Sequence, residues 1–327
     1  MAPLKTQTAP VAVDAMGGDH APDAAVHGAV LAAGQGIDVV LVGDEVRLRA
    51  LLPRGSSMVI VHAPDVVGMD EGAVAAVRKK PDSSLRRAMA LVKSGQACAV
   101  MSCGNTGAVL VASVLDLGVR PGIERPAIAT LLPRSDGGML VLLDAGANVD
   151  CRPEMLASFA LLGAEFAKSQ GMATPRIGLL ANGEEESKGN AQGRAALPLI
   201  RALPLLVVGN VEPHAAMAGA CDVLVCDGFV GNVLLKGVEA AAETVVHLLR
   251  DEIRRNPSAR FGAWLTSRAF GRFRKRVQWQ AYGGGVLLGV EGTVVVGHGR
   301  ANAEAVAAAI RTARDAAAGR STPATPM

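Results

Sequence analysis

Short runs of β-branched and aliphatic residues recur along this chain, each followed by a polar turn and then an Ala/Leu-rich stretch at helical spacing. That alternation constrains the fold more than any other feature. A parallel strand pair needs a long crossover, and a helix packed on the sheet is the compact way to make one. The runs Val11–Asp14, Val39–Val42, Met58–His62, Ala97–Ser102, Ile177–Leu180, Leu205–Val208 and Val223–Cys226 read as strands. Helical patterns fall near 21–33, 83–94, 107–117, 153–169, 190–202 and 229–255, with a closing helix near 300–318. One stretch departs from the rule. Ala127–Leu132 and Met139–Leu143 flank Pro133-Arg134-Ser135-Asp136-Gly137-Gly138, the signature of a β-hairpin. A hairpin inside a βα series favours a mixed open sheet over a closed (β/α)8 barrel. The expected fold class is α/β, an open, mostly parallel sheet with helices on both faces.

The 327 residues suffice for a large buried core, and one domain over 10–318 is expected. Residues 1–9 and the Pro/Thr-rich 319–327 read as disordered tails. The five cysteines, at 98, 103, 151, 221 and 226, form no CxxC pair and have no histidine at finger-like spacing. This pattern points to free thiols in a reducing cytoplasm and to no metal site. Cys221 and Cys226 lie an odd number of residues apart on a strand pattern and face opposite ways, which argues against joint metal binding. The first residues lack the apolar core of a secretory signal, and no apolar run is long enough to cross a bilayer. No Walker pattern or clean GxGxxG is present, so no nucleotide cofactor is expected.

Positive charge and aromatic residues are concentrated together. Residues 257–282 hold both tryptophans, the single tyrosine and three of the six phenylalanines, and 257–280 carry six Arg/Lys and no acid. The long helix ending near Arg255 meets Asn256-Pro257, a stop signal. Phe261, Trp264 and Leu265 then share a helical face. Phe270, Phe273 and Val277 form another, with Arg268, Arg272, Lys275 and Arg276 opposite. The two faces do not align on one wheel, so a projecting helical pair broken near Arg268–Gly271 is expected, in an insert over about 240–282. Three uses fit it: a membrane-surface anchor, a dock for an acidic carrier protein, or a dimer contact or satellite core under a charged face. One short basic patch is not a nucleic-acid footprint.

Five polar loops follow predicted strands: Asp14–Pro22 (DAMGGDHAP), Ser102–Gly107 (SCGNTG), Asp144–Asp150 (DAGANVD), Asn182–Asn190 (NGEEESKGN) and Asp227–Asn232 (DGFVGN). The carboxyl ends of parallel strands share one edge, where such sheets bind ligands. Glycines admit close backbone approach, and the helix N-termini beyond them offer N–H groups to an anion. A phosphate or carboxylate site is the expectation. Candidates for it are Asp14, Gly17, Gly18, His20, Gly104, Asn105, Thr106, Asp144, Asn148, Gly189, Asn190 and Gly231. Each has a plainer use. Asp14 and Asp144 can cap the turns that follow them, Asp19 can cap a helix, and the asparagines after glycine are common turn residues. His20 suits an acid–base role or a structural hydrogen bond equally. Cys103 sits in a glycine loop, where a nucleophilic role is the weaker reading.

The motifs VDAMGGDHAP, SCGNTGA, ERPAIATLLP, LLDAGANVD, EESKGN, GNVEP and CDVLVCDGFVGNVLLK follow one another in order from about Val11 to Ala316. Together they closely resemble the bacterial phosphate acyltransferase family, PlsX. The resemblance implies a fold related to phosphotransacetylases and isopropylmalate-dehydrogenase-like proteins. It implies conversion of acyl-[acyl carrier protein] and inorganic phosphate to acyl phosphate and free carrier, an early step toward phospholipids, without a cofactor. It also implies a homodimer, cytoplasmic and peripherally membrane-associated, that feeds a glycerol-3-phosphate acyltransferase. The residues it marks for activity are Lys188 and Asn232.

The residue chemistry accords with that activity. Phosphate is itself a nucleophile, so a site needs to hold it against a thioester and stabilise the developing oxyanion. Lys188 supplies a point charge, Asn232 and Asn105 supply amide donors, and backbone N–H groups after Gly104 and Gly231 complete a cradle. Two other readings stay open: a phosphotransacetylase acting on a coenzyme A thioester, and a non-catalytic membrane scaffold.

Overall fold

The computed structural model describes residues 9–267, 271 and 284–319. The expected tails fall almost wholly outside these residues, as do Arg268, Phe270, Arg272, Phe273 and Lys275 and the expected break near Arg268–Gly271. The described chain forms two compact units, 9–129 with 284–319, and 130–267.

Unit 1 begins with β1 (Val11–Asp14), α1 (Asp23–Gly34), β2 (Val39–Gly43), α2 (Glu45–Leu51) and β3 (Val59–His62). It continues through α3 (Ala73–Lys79), α4 (Ser84–Lys93), β4 (Ala99–Ser102) and α5 (Thr106–Ala112), which runs into a π-helical turn at Ser113–Leu117. The chain leaves this unit through β5 (Ala127–Pro133) and returns for β10 (Gly285–Leu288), β11 (Val294–Val296) and α11 (Ala303–Ala317). The strand order is β3-β2-β1-β4-β11-β10-β5. Pairs β2–β3, β1–β2, β1–β4 and β4–β11 are parallel, whereas β10 is antiparallel to both β11 and β5. Every residue of β1 and β4 is buried, as expected for aliphatic strands covered on both faces. Helix α4 shows how a helix covers them. Leu85, Ala88 and Met89 recur at helical spacing and are buried, while Arg86 and Arg87 turn outward to Asp116 and Asp82. Gly28 lets α1 approach α11: a Cβ there would lie 2.4 Å from Cγ1 of Val306.

In unit 2 the end of β5 neighbours β6 (Met139–Leu143) through the Pro133–Gly138 turn, closed by the Arg134 N–H on the Gly138 carbonyl. The hairpin signal is thereby realised. The unit adds α6 (Pro153–Ser169), β7 (Arg176–Leu180), α7 (Ala191–Arg201), β8 (Leu206–Val211), α8 (Pro213–Ala218) and β9 (Val223–Val225). Strands β6-β9-β7-β8 lie in that order and are parallel. Helix α6 buries Met155, Leu156, Phe159 and Leu162 against β6 and β9, and Gly163 leaves space for Val223. Asp222 ties three segments together. Its carboxylate accepts from Arg134 Nη1 at 2.6 Å, from Arg176 Nε at 3.0 Å and from the Arg176 N–H at 2.9 Å. Burial acts to raise its pKa, but the two guanidiniums and the amide outweigh it and hold the carboxyl down at about 2.

Two further helices complete the described part of unit 2. Helix α9 (Gly228–Arg255) buries only Gly228 and Gly231. Asn256 ends it and caps α10 (Pro257–Leu265), accepting from the Ser258 and Ala259 N–H groups with Pro257 in the first turn. The expected stop at Asn256-Pro257 is therefore also the next helix start.

Candidate active site

In unit 1 the first two loops meet at Asp14. This carboxyl ends β1 and is buried at 4% exposure. Its Oδ2 accepts from Ser102 Oγ at 2.7 Å, and Ser102 Oγ in turn accepts the Gly104 N–H at 3.0 Å. A weaker contact joins the Met16 N–H to Oδ1 at 3.4 Å. Burial pushes the Asp14 carboxyl above its ordinary value, opposed by the hydroxyls of Ser84 and Ser102 and the amides of Met16 and Gly17. Ser84, the first residue of α4, lies close enough to act this way but makes no hydrogen bond of normal geometry. Glycine is required at 17, because a Cβ would stand 2.7 Å from Asp14 Oδ2 and 2.8 Å from the Gly104 nitrogen. Gly18 adopts φ +110° and lies over Cys103. A cavity of about 10 Å³, the size of one water, is lined by Asp14, Gly17, Gly18, His20 and Cys103.

Asn105 is committed within this unit. Its Oδ1 caps α5 at the Ala108 N–H, while its Nδ2 donates to the carbonyls of Met69 at 2.8 Å and Glu71 at 3.2 Å. The expected side-chain donor is spent on anchoring loop 69–71. Thr106 is the exposed first residue of α5. Asp19, expected as a cap, is not one: α1 starts at Asp23 after Pro22, with no side-chain cap. His20 is exposed. Cys103 is buried, and desolvation together with Asp14 pushes its thiol up to about 12, which leaves it no thiolate to attack with.

Unit 2 builds its own cluster around Asp144, at the end of β6. This carboxylate is fully buried and receives four donors: the N–H groups of Gly146, Ala147 and Asn148 and the Asn148 side-chain amide, at 2.8–3.0 Å. The loop so formed fits the start of α9. The Gly228 N–H donates to the Asn148 carbonyl at 2.7 Å, and a Cβ at Gly231 would lie 1.9 Å from the Asp144 carbonyl oxygen. Asp227 caps α9 through the Val230 N–H at 2.8 Å. A Cβ at Gly146 (φ +140°) would lie 3.3 Å from Nδ2 of Asn232, so the Asn232 amide lies close against this loop.

The Asn182–Asn190 loop is held by its asparagines. Asn182 Oδ1 accepts the Gly189 N–H at 2.9 Å, and Asn190 Oδ1 caps α7 at the Gly193 N–H. Gly189 is left-handed at φ +87°. Of the three neighbouring glutamates, Glu186 pairs with Arg201. Lys188 is exposed, and its ammonium pairs with no acid among the described residues. The Asn232 amide likewise has no hydrogen-bond partner among them. Among these residues neither the Lys188 ammonium nor the Asn232 amide is spent on the protein itself, whereas Asp144, Asn182, Asn190 and Asp227 in the same loops each accept from backbone N–H groups.

The residues that set this geometry but were passed over as site candidates are Ser102, Asn182, Asp227 and Gly228. Asp227-Gly228 directly after a strand was a legible N-cap signal. The role of Ser102 needed a partner 88 positions away.

The family model described as "Fatty acid synthesis protein" matches residues 9–322. The phosphate acyltransferase of Pelotomaculum thermopropionicum is 46% identical over 310 residues, covering 93% of this chain and 90% of the relative. That of Syntrophotalea carbinolica is 48% identical over 311 residues, covering 93% and 89%. The chain belongs to the phosphate acyltransferase (PlsX) family. As a phosphate acyltransferase it is a transferase. Its fold is shared with a phosphotransacetylase from Streptococcus pyogenes, at a TM-score of 0.64 and 18% identity, covering 96% of this chain and 94% of that one. A branched-chain phosphotransacylase from Enterococcus faecalis superposes with a TM-score of 0.58 at 16% identity, covering 94% and 99%. The open, mostly parallel α/β class read from the alternation is thereby established.

Helix α10 carries the first half of the aromatic segment. Phe261 and Trp264 stack with ring centroids 5.9 Å apart, and both are about two-thirds exposed, as is Leu265. No helix among the described residues is long and apolar enough to cross a membrane.

Proposed function

We propose that this phosphate acyltransferase converts acyl-[acyl carrier protein] and inorganic phosphate to acyl phosphate and free carrier, with Lys188 and Asn232 acting on the reacting atoms. The observation that carries this reading is that Lys188 and Asn232 keep donor groups free among the described residues of unit 2, whereas Asp144, Asn182, Asn190 and Asp227 of the same loops are tied to backbone. A phosphate oxygen attacks the thioester carbon, forming a C–O bond and an oxyanion. Collapse of the oxyanion breaks the C–S bond, and the departing thiolate takes its proton from solvent. The Lys188 ammonium neutralises phosphate and the growing oxyanion charge, and the Asn232 amide donates to the same oxygens. The N-termini of α7, behind Gly189-Asn190, and of α9, behind Asp227, add oriented N–H dipoles. The expected cradle after Gly231 does not form, because Gly231 lies inside α9 with its N–H bonded to the Asp227 carbonyl at 2.9 Å. Asp144 and Asn148 shape the loop beneath Asn232. In unit 1, taken by itself, Gly17, Gly18, His20, Gly104 and Thr106 are candidates for holding an anion, with Asp14 and Asn105 as internal ties of their loops.

The test is thiol release from acyl carrier protein with and without phosphate. Wild type is expected to release thiol only when both are present. Lys188→Ala and Asn232→Ala are each expected to lose about 100-fold or more in kcat with the circular dichroism spectrum unchanged. Full activity in Lys188→Ala would sink the assignment. Faster turnover of acetyl-coenzyme A than of the acyl carrier would favour the reading suggested by the phosphotransacetylase fold.

The same reading includes a cytoplasmic homodimer that attaches peripherally to the membrane and delivers acyl phosphate to a glycerol-3-phosphate acyltransferase. The exposed Phe261–Trp264 pair and the basic residues after it support surface attachment. Replacing Trp264 and Phe273 with Asp is expected to abolish sedimentation with anionic vesicles while turnover in solution persists. Undiminished sedimentation would remove the anchor.

A further inference from the structure

Unit 2 holds a cavity of about 690 Å³ bounded by α6, the end of β7, the Asn182–Gly193 segment, Pro213 and the first turns of α9. That volume is in the range of sites for small organic ligands. Its wall has two kinds of residue. One set is aliphatic: Leu156, Leu179, Leu180, Val230, Val233 and Leu234. The other is polar but tied to the protein's own backbone. Asn182 accepts from Gly189, Asn190 from Gly193 and Asp227 from Val230, while Gln192 donates to the Cys151 carbonyl at 2.6 Å. Cys226, also on the wall, is buried, its thiol pushed up by desolvation, and directs Sγ toward the Asp144 carbonyl. No lysine, arginine or histidine lines the space.

A cavity of this composition suits hydrocarbon better than a nucleotide or a sugar, whose many polar groups would go unpaired. Its edges nevertheless adjoin Lys188 and Asn232 in sequence. Gly189 follows Lys188 directly, and Asn232 stands between Val230 and Val233 on α9. A ligand with a polar reactive end and a long apolar tail fits that arrangement.

We infer that this cavity is the acyl-chain subsite: it receives the hydrocarbon tail of the thioester while the carbonyl stays at the rim near Lys188 and Asn232. The inference rests on the acyl transfer proposed above and adds to it where the chain goes and which residues set length preference. Each methylene buried there is worth about fourfold in affinity. Val233 is the position to alter, because it is 57% exposed on α9 and its replacement leaves the core intact.

The experiment compares carrier protein loaded with butyryl, decanoyl or hexadecanoyl chains, measuring both kcat/KM for acyl phosphate formation and equilibrium binding by calorimetry. For the wild-type full chain, binding is expected to tighten with chain length. In Val233→Trp the ratio of hexadecanoyl to butyryl kcat/KM is expected to fall at least tenfold. In Val233→Ser, which fills no space, the ratio is expected to fall two- to fivefold. Equal losses at all lengths in both variants, or an unchanged ratio, would overturn the subsite. Protection of the cavity by a second copy of this chain, seen as a concentration-dependent loss of the chain-length effect, would overturn it too. Length-dependent binding without any acyl phosphate would instead keep the subsite and overturn the reaction.

Discussion

Each unit closes a central strand with Asp-Ala and a glycine loop, yet the two carboxyls live in different worlds. Asp144 in unit 2 accepts four N–H groups and is saturated. Asp14 in unit 1 is just as deeply placed but accepts one short bond, from a serine hydroxyl, and one long bond from backbone. The first arrangement surrounds the carboxylate with four fixed donors. The second does not, so burial dominates and the carboxyl holds its proton more tightly. The same dipeptide thus makes a fully hydrogen-bonded strut in one unit and a poorly compensated acid in the other. Donor supply, set by the next three residues and by the facing strand, decides which.

Removing the strut should have the largest effect. Asp144→Ala leaves three backbone amides and the Asn148 side chain short of an acceptor, and should cost about 3 kcal/mol or more in urea unfolding. A loss below about 1 kcal/mol would break the contrast with Asp14. Next comes Gly17→Ala, whose methyl meets both Asp14 and the Gly104 nitrogen. About 2 kcal/mol is expected from chemical denaturation.

Asp14→Asn tests the acid directly and should cost about 1 kcal/mol at most at neutral pH, since an amide oxygen still accepts from Ser102. The sign with pH sharpens the test. Because the folded pKa of Asp14 is raised, its contribution is fully present below the ordinary 3.8 and is lost as pH rises through the folded value. The stability advantage of wild type over Asp14→Asn should therefore shrink from pH 3.5 upward. Asp222 runs the other way. Held down at about 2, it contributes above the ordinary 3.8, and that contribution is lost as pH falls through about 2. The gap between wild type and Asp222→Asn should accordingly narrow in acid, measured by thermal melts from pH 5 to 2.

The smallest expected effect concerns Cys103. Its thiol should resist a disulfide reagent at pH 8 in the folded protein and react on unfolding, and Cys103→Ala should retain activity within about twofold. Rapid labelling of the native protein would contradict a thiol pushed up to about 12.

Much of the frame was legible before any coordinates. Val11–Asp14 and Pro153–Ser169 coincide with their expected spans, because a short aliphatic run ending in Asp-Ala and a long amphipathic run after Pro are unambiguous locally. Strand β8 runs three residues past the Leu205–Val208 that the aliphatic pattern predicts. Gly209-Asn210-Val211 lies beyond the expected strand, yet it continues β8 with Gly209 at φ +102°, next to an irregular register against β7. Strands β10 and β11 were missed because Gly285–Leu288 and Val294–Val296 are short and bracketed by glycines. The candidate loops were identified as glycine-rich and polar. Which asparagines kept free amides was not readable, since Asn105 and Asn232 both follow glycine, and only their neighbours distinguish them.

By itself the sequence determined the period of each element, the loops at the strand ends, and the family to which the chain belongs, all of them consequences of local pattern. Tertiary structure decided that β11 and β10 enter between β4 and β5 from more than 150 positions downstream, that Ser102 ties Asp14 to Gly104, and that Gly231 must be bare to meet the Asp144 carbonyl. Such pairings depend on which surfaces meet once the apolar faces are buried. No local preference encodes them, because the partners become neighbours only after the chain has closed its long loops.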